Sequence, residues 1–401
     1  MKDARLKEIR RRLCGELDRI ISWWGKHSVD QQYGGFHGRI LFDNTVVAGA
    51  PKGIILNSRI LWSFSAVYRF TPQPELRDLA HRSFEYLVQF FYDREYGGFY
   101  WQLDPQGRPI ETRKQIYAQA FALYGLAEYV QAFQSEDALN LAQSVYRDIE
   151  QYSRDHDRRG YFEGYDSHWN LLADLRLSER DANEKKTMNT HLHILEAYTN
   201  LYRTAPDDQL GSALNELIRI FLDQIIDPAS SHCGLFFDEN WTLRSETISF
   251  GHEIEAAWLL CEAAEAIGVS ELTGEVRKVA VKIADRTLKE GLAADGSLFY
   301  EQTGAVLNTD RHWWPQAEAM VGFMNAFEIT GEKHYLEVAF GLWDFIEQKI
   351  VNREYGEWYW SVRADGKPNT RDDKLGFWKA PYHNSRGCLE MIRRLDRADA
   401  L

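Results

Sequence analysis

The chain has 401 residues, with 60 acidic against 47 basic side chains and a formal net charge of −13. This acidic balance repels phosphate backbones and excludes the basic surface of a nucleic-acid-binding protein. No apolar run approaches the roughly 18 residues of a membrane span, and the basic stretch 1–13 lacks the following apolar core of a signal peptide. The four cysteines are scattered without metal-type spacing. We therefore expect reduced thiols in a cytoplasmic protein without structural zinc.

Aromatic side chains are the one compositional excess, since 13 Trp, 20 Tyr and 21 Phe make up 13% of the chain. Many of them stand beside glycine or acidic residues and not inside apolar runs. That placement suits sugar rings, whose CH faces stack on aromatic rings, although a large core accounts for most aromatics equally well.

A short signature, a glycine followed by an aromatic-rich segment, recurs along the chain. Its glycines are residues 34, 97, 160, 234, 296 and 356. The steps between them are 63, 63, 74, 62 and 60 residues, and six copies at one period indicate a repeat architecture. We expect each glycine to turn the chain through a positive φ before a short extended segment.

Between these signatures lie long stretches with apolar residues at helical spacing. They predict helices over 3–26, 58–71, 75–92, 115–134, 136–152, 187–203, 208–226, 250–267, 271–290, 313–330, 332–351 and 381–397. Two helices per repeat predict an all-α (α/α)6 barrel of twelve helices, with short β-hairpins in the connections. We expect one domain over residues 1–401. Small residues such as Ala118, Ala256 and Ala317 assign the even-numbered helices to the inner ring.

Two connections are long, 166–186 and 364–379. Long connections in a compact domain are usually functional or mobile. We expect both to form rims or lids over a central cavity.

Polar side chains stand at the starts of the predicted inner helices and would converge at one end of the barrel. They are Arg59, Tyr117, Asn189, His191, His193, His252, Glu255, Trp313, Trp314, Gln316, Glu318, His383 and Arg386. Asn189 and His193 are four residues apart and share a helix face, whereas His191 points elsewhere. We therefore take His193 as the site residue and His191 as a hydrogen-bonded core residue.

His252 and Glu255 also share a face, so one of them could orient the other. The rings of a His-x-His pair on a helix diverge, and no third ligand has supporting spacing, so we expect no metal. A phosphate-binding loop and a dinucleotide fingerprint are both absent from the sequence, and we expect no cofactor.

Five segments resemble the cellobiose 2-epimerase and N-acylglucosamine 2-epimerase group. They are 57–62, 186–193, 250–255, 313–318 and 377–383. The resemblance implies an (α/α)6 barrel that inverts C2 of the reducing-end sugar of β-1,4 disaccharides such as cellobiose, lactose or mannobiose. It implies His252 and His383 as the acid/base pair and His193 as a third active-site histidine. The sugar-binding positions it implies are Arg59, Tyr117, Asp181, Asn189, Glu255, Trp314 and Trp378.

Inversion at C2 requires removing a proton on one face and returning it on the other. Histidine suits both roles, because its ordinary pKa near 6.5 leaves acid and base forms available at neutral pH. After ring opening, deprotonation gives a cis-enediolate that Arg59 and His193 would stabilise, while Trp314 and Trp378 stack on the two sugar units. Reprotonation at C1 would yield the ketose, so we expect some aldose–ketose isomerisation.

Three alternatives stay open at this point. The first is a monosaccharide epimerase or isomerase acting on N-acylglucosamine or mannose. The second is an α/α-barrel glycoside hydrolase using Glu255 and Glu318, which would leave three histidines without a role. The third is a carbohydrate-binding protein without activity. In each case we expect a small-molecule partner and a monomeric chain.

Overall fold

The computed structural model describes residues 2–399. All the predicted helices are present within this range, α1 to α12. Their bounds are α1 Lys2–His27, α2 Ile54–Phe70, α3 Pro74–Tyr86, α4 Ile116–Phe133, α5 Glu136–Asp148, α6 Met188–Thr204, α7 Asp208–Ile220, α8 Phe250–Ile267, α9 Ser270–Glu290, α10 Trp313–Thr330, α11 Lys333–Phe345 and α12 Tyr382–Asp399. The α2 helix starts before the predicted residue 58, because the apolar residues Ile54 to Leu56 are buried in its first turn.

Local sequence explains where several helices begin and end. Pro74 occupies the first turn of α3, where its missing N–H costs nothing. Ser135 and Asp207 cap α5 and α7 by accepting hydrogen bonds from backbone N–H groups two or three residues on. Gly268 and Gly331 end α8 and α10 in the left-handed conformation.

Four outer helices widen into a π-helical turn at their C-terminal ends. These turns are Leu87–Phe91 after α3, Ile149–Ser153 after α5, Phe221–Ile225 after α7 and Ile346–Ile350 after α11. They account for the predicted helices ending near 92, 152, 226 and 351.

The even-numbered helices form a closed inner ring, in which each packs on the next and α12 packs on α2. Each odd-numbered helix packs on the outside of an even-numbered one. Close approach between inner helices depends on small residues: a Cβ on Gly125 would lie 2.8 Å from the Ser58 carbonyl oxygen, and one on Gly322 would lie 2.5 Å from the Ile254 side chain. The predicted (α/α)6 barrel is confirmed.

Short antiparallel strands connect neighbouring repeats. They are β1 Lys52–Gly53, β2 Gln102–Leu103, β3 Pro109–Glu111, β4 Lys114–Gln115, β5 Gly164–Tyr165, β6 Lys186–Thr187, β7 Phe236–Phe237, β8 Thr247–Ser249, β9 Glu301–Thr303, β10 Val306–Asn308, β11 Arg311–His312 and β12 Ser361–Val362. The strand before an inner helix pairs with the connection of the next repeat, as in β1–β2, β4–β5 and β6–β7. A bridge between Ile40 and Leu375 joins the last repeat to the first.

One of the six signature glycines does not behave as predicted. Glycines 34, 97, 160, 296 and 356 have positive φ angles, but Gly234 does not. In that repeat Ser231 takes the left-handed conformation, with φ 63°. Gly234 is needed for space, since a Cβ there would lie 2.5 Å from the Phe237 ring.

Within residues 2–399, none of the helices has both the length and the apolarity that crossing a bilayer requires. All four cysteines are free thiols, and three of them are buried.

Candidate active site

The polar residues of the site lie in the first two turns of the inner helices. Counting from the first residue of each helix, and from Pro381 for α12, two positions recur around the barrel. The fourth position carries residues that bind the preceding connection, and the sixth carries residues that face the barrel axis. We call the first group the hairpin-binding set: Gln119, His191, Glu253 and Gln316. We call the second group the axial ring: Arg59, Phe121, His193, Glu255, Glu318 and Arg386.

The hairpin-binding set holds backbone groups. Gln119 accepts from the Phe99 N–H and donates to the Phe99 carbonyl at 2.8 and 2.9 Å, and Gln316 binds Leu298 in the same way. His191 accepts from the Tyr161 N–H at 2.9 Å and donates to the Thr187 carbonyl at 2.7 Å. Burial lowers the pKa of His191 to about 4. His191 is therefore the hydrogen-bonded core residue that helical phase predicts.

Arg386 is the centre of the axial ring. Its side chain is 1% exposed and forms ion pairs with Glu196, Glu255 and Glu318. Three buried carboxylates thus share one guanidinium, so burial and Glu318 hold the pKa of Glu255 well above its usual range. Glu196 is different: burial raises its pKa, but Arg386 and His193 outweigh that effect and lower it to about 2.

Each of the three predicted active-site histidines is held through Nδ1. His193 contacts Glu196 at 3.1 Å, and His383 contacts Glu318 at 2.7 Å. His252 contacts the Ser249 hydroxyl at 2.7 Å. The expectation that Glu255 and His252 orient one another is wrong: the His252 ring reaches back to Ser249, and Glu255 binds Arg386.

The site keeps its histidines neutral. Burial lowers the pKa of His252 to about 3, and the nearby His193 adds to the effect. Burial, Arg59 and Arg386 hold the pKa of His383 well below its usual range. The ordinary pKa near 6.5 that we took from the sequence therefore does not describe these rings. With Nδ1 engaged, Nε2 is the atom left for chemistry.

Trp314 contacts both histidines of the predicted acid/base pair. Its indole centroid is 4.6 Å from the His252 ring and 5.6 Å from the His383 ring. Gly251 makes this approach possible, because a Cβ there would lie 2.6 Å from the indole. Since α8 and α12 are separated in the ring by α10, His252 and His383 reach the cavity from different sides.

Arg59 and Tyr117 form the neighbouring wall of the cavity. One Arg59 nitrogen donates to the Tyr117 hydroxyl and another to the Trp378 carbonyl, both at 2.8 Å. The Tyr117 ring stands edge-on to His193, with centroids 5.0 Å apart. Asn189 begins the third inner helix beside them, and its Oδ1 is a buried acceptor without a protein partner. A sugar hydroxyl is one donor that would satisfy such an atom.

Parts of the two long connections, which the sequence predicts as rims or lids, line one cleft together. Residues 174, 176–179, 377 and 378 line one cleft of about 520 Å³, together with Trp101 and Arg113. Trp378 is half-buried at the inner edge of this cleft, against Trp101. Asp181 lies on the same rim, where its carboxylate accepts from the Ser178 N–H and hydroxyl at 2.8 and 2.9 Å.

Helical phase and resemblance left out Glu196, which links His193, Arg386 and the Tyr382 hydroxyl. Its three-residue spacing from His193 is the signal that could have found it. Glu255, Glu318 and His383 also bring possible ligand atoms within 4.8 Å of one another. The Arg386 guanidinium already binds both carboxylates, so the cation of this cluster is an arginine.

The chain matches known proteins over almost its whole length. The family model described as N-acylglucosamine 2-epimerase covers residues 34–384. The chain is 47% identical to a cellobiose 2-epimerase of Bacteroides fragilis, over 93% of this chain and 96% of the relative. The structure of cellobiose 2-epimerase from Bacillus thermoamylovorans superposes with a TM-score of 0.92 at 38% identity, covering 97% of this chain and all of the other.

More distant relatives include an N-acylglucosamine 2-epimerase of Bos taurus, 26% identical over 96% of this chain and 90% of the relative. The enzymes in this set are carbohydrate 2-epimerases, which are isomerases. From its barrel, its cluster of buried histidines and these matches, the chain belongs to the N-acylglucosamine 2-epimerase family.

Proposed function

We propose that this protein inverts C2 of the reducing-end sugar of β-1,4-linked disaccharides, with cellobiose, lactose and mannobiose as substrates. The observation that carries the proposal is that His252 and His383 come from two inner helices, α8 and α12, which are not neighbours, and that both contact the indole of Trp314. Inversion of a single carbon demands two groups that approach it from different directions. The cellobiose 2-epimerase relatives supply the substrate class.

The reaction begins with opening of the sugar ring to expose the C1 aldehyde. One neutral imidazole then removes the C2 proton, and its lowered pKa keeps it free to accept that proton. The negative charge that develops on the enediolate stabilises the new imidazolium beside it. The opposite imidazole takes up a proton from solvent, which the negative charge of the enediolate favours, and returns it to the other face of C2. The first imidazole then loses its proton to solvent. Each positioned acid or base contributes roughly 10² to 10⁴ in rate.

The enediolate oxygens need hydrogen-bond donors in a place that excludes water. Arg59 and His193 fit this role, because both are almost fully buried and both line the axis. Arg59 is held by Tyr117 and the Trp378 carbonyl, so its charge is fixed before the substrate binds. Protonation of the same intermediate at C1 yields the ketose, and a minor isomerase activity follows.

Sugar recognition is assigned to the side chains around the histidines. Trp314 stacks on the reducing-end unit and Trp378 on the second unit, next to the 520 Å³ cleft. Hydroxyl groups are bound by Tyr117, Asp181, Asn189 and Glu255. For Asn189 this assignment supplies the hydrogen-bond partner that its buried oxygen otherwise lacks.

The carboxylates argue against glycosidic cleavage. A hydrolase needs one carboxylic acid and one carboxylate on opposite sides of a glycosidic bond, at least about 5 Å apart. Glu255 and Glu318 instead bind the same guanidinium nitrogen of Arg386. They form one buried ion network and leave no gap for a glycosidic oxygen.

The test is incubation of the purified protein with cellobiose, lactose, mannobiose, mannose and N-acetylglucosamine, followed by chromatography of the products. We expect the C2 epimers of the disaccharides to form fastest, with epilactose and some lactulose from lactose. Glucose released from cellobiose would favour the hydrolase. Turnover of the monosaccharides alone would move the substrate class to N-acylglucosamine or mannose.

We also propose that the chain works as a cytoplasmic monomer. The ion network of Arg386 with Glu196, Glu255 and Glu318 closes within one chain. Free thiols fit a reducing compartment. Light scattering on the purified protein tests the assembly state, with a mass near 46.7 kDa expected.

A further inference from the structure

The fourth repeat, whose inner helix is α8, binds the preceding connection through Glu253, the one carboxylate of the hairpin-binding set. Gln119 and Gln316 each satisfy both the N–H and the carbonyl of one residue. Glu253 accepts from the Cys233 N–H at 2.9 Å, but a carboxylate has no proton to donate in return. Its side chain is fully buried, and a buried carboxylate is costly without a partner.

His232 is that partner. Its Nδ1 lies 3.0 and 3.2 Å from the two Glu253 oxygens. The turn before His232 begins at Asp227, and the turns of the first, second, third and sixth repeats begin in the same way with an Asp or Asn. In each of them, the N–H of that Asp or Asn donates to the backbone carbonyl of the residue five positions later. Glycines 35, 98 and 160 carry that carbonyl in the first three repeats, His232 carries it in the fourth and Glu357 in the sixth. The histidine therefore stands in the one repeat of this kind whose inner helix carries Glu253.

Carboxylates face both ring nitrogens of His232. Nε2 lies 3.1 Å from a Glu290 oxygen of α9, so each ring nitrogen faces a carboxylate. The hydrogen bond to Glu253 is the main cause that raises the pKa of His232, and burial opposes it. Asp227 of the same turn adds negative charge. Arg286 of α9 is the opposing cation: its Nε donates to His232 Nε2 at 3.3 Å in the neutral form of the ring, and its guanidinium also pairs with Glu290 at 3.0 Å.

Glu253 follows His252 directly in the first turn of α8. The same turn contains Gly251, against which Trp314 packs, and leads to Glu255. The His252 ring itself is held by a single hydroxyl, that of Ser249. The position of the catalytic ring therefore depends on how firmly the backbone of this turn is fixed.

We propose that the His232–Glu253 ion pair is a positioning device for His252, which fixes the first turn of α8 from outside the cavity. This inference rests on the proposed function, in which His252 transfers the C2 proton. His232 touches no part of the cavity wall described above and is a positioning residue. Above the pKa of His232 the pair loses its positive charge, and the turn is held less firmly.

Four proteins test the inference: the wild type, His232→Gln, Glu253→Gln and the double variant. The Glu253→Gln substitution copies the arrangement of Gln119 and Gln316, whose amides need no cation. We expect His232→Gln to lower kcat on cellobiose about tenfold with little change in KM, since small displacements of a catalytic group are costly. The double variant should recover most of that loss. His334→Gln is the matched control, because His334 pairs with Glu332 on the surface at 3.4 Å.

The dependence of kcat on pH distinguishes a residue that positions His252 from one that only stabilises the fold. The wild type should lose kcat as the pH rises through the pKa of His232, and Glu253→Gln and the double variant should lack that decline. Unchanged kcat and pH profile in His232→Gln, or no recovery in the double variant, would overturn the inference. If His232→Gln fails to fold, the profile of the double variant against the wild type decides alone.

Failure of the proposed function looks different. In that case the wild type turns over none of the disaccharides, and the ion pair is tested by urea unfolding. A histidine whose folded pKa is raised contributes stability below its unfolded pKa, near 6.5, and loses it as the pH rises through the folded value. Wild type should show this alkaline loss and Glu253→Gln should not. Equal losses in both would overturn the ion pair itself.

Discussion

The hairpin-binding set and the axial ring lie two residues apart on the same helical turns, yet they do different work. Apart from Phe121, both consist of buried polar side chains, and each contains a histidine, His191 or His193. His191 is bound on both ring nitrogens by backbone groups, whereas His193 is bound through Nδ1 to Glu196. Burial and residue type therefore do not separate a structural from a catalytic histidine. The partners do, and the two-residue step that sets them rotates the side chain by about 200° around the helix.

The largest fall in activity should follow from replacing either histidine of the predicted acid/base pair. His252→Gln and His383→Gln should each lower kcat by about 10² to 10⁴ while leaving the far-ultraviolet circular dichroism unchanged. Glutamine keeps much of the volume and the polarity but cannot take up a proton. The measurement is the initial rate of C2 epimer formation from cellobiose. A variant of either residue with more than half of the wild-type rate would show that this ring does not transfer the proton.

A smaller effect should follow from weakening the axial ring itself. Glu318→Gln removes the negative charge beside His383 and one of the three carboxylates on Arg386. We expect kcat to fall about tenfold to a hundredfold, less than for loss of a proton-transferring group. Glu262→Gln is the matched control, because Glu262 binds Arg203 and Arg394 near the C-terminal end of α8. Similar losses in both variants would mean that carboxylate removal acts through general instability.

The smallest effect on activity should come from the hairpin-binding set. His191→Gln places in repeat three the residue that repeats two and five already use, and kcat should stay within about twofold, since groups that touch no reacting atom contribute little. The matched variant His193→Gln should lose far more. A large loss in His191→Gln alone would break the distinction between the two groups.

The His191→Gln substitution should also change how the free energy of unfolding depends on pH. Burial lowers the folded pKa of His191 to about 4, so its contribution is present above the unfolded pKa near 6.5 and is lost as the pH falls. Between pH 7 and pH 5 the wild type should lose about 2 kcal/mol more unfolding free energy than His191→Gln. Urea unfolding at the two pH values measures the difference. Equal losses would mean that His191 is not held neutral by the fold.

Much of this architecture is visible in the sequence, because it repeats. The period of about 63 residues predicts the barrel, and helical phase separates His193 from His191. The resemblance adds Trp378 and Asp181, which lie on the long connections where periodicity says nothing. The partner of His252 escaped prediction because both Ser249 and Glu255 stand three residues from it, and only the backbone shows that the ring turns towards the N-terminus.

Other features depend on contacts between distant repeats. Arg386 is separated by more than 60 residues from each of its three carboxylates, so its network has no local signature. The neutral state of the histidines follows from burial and from the charges of Arg59 and Arg386, and both depend on the closed barrel. The conformation of Gly234 was missed because the turn of that repeat places its left-handed residue at Ser231.

Proton transfer at C2 is the central claim, and deuterium oxide tests it most directly. Cellobiose is incubated with the wild-type protein in deuterium oxide and examined at low conversion by NMR. We predict one deuterium at C2 of the epimer and none at C2 of the remaining cellobiose, because separate imidazoles remove and return the proton. An epimer that keeps its original C2 hydrogen would contradict the account.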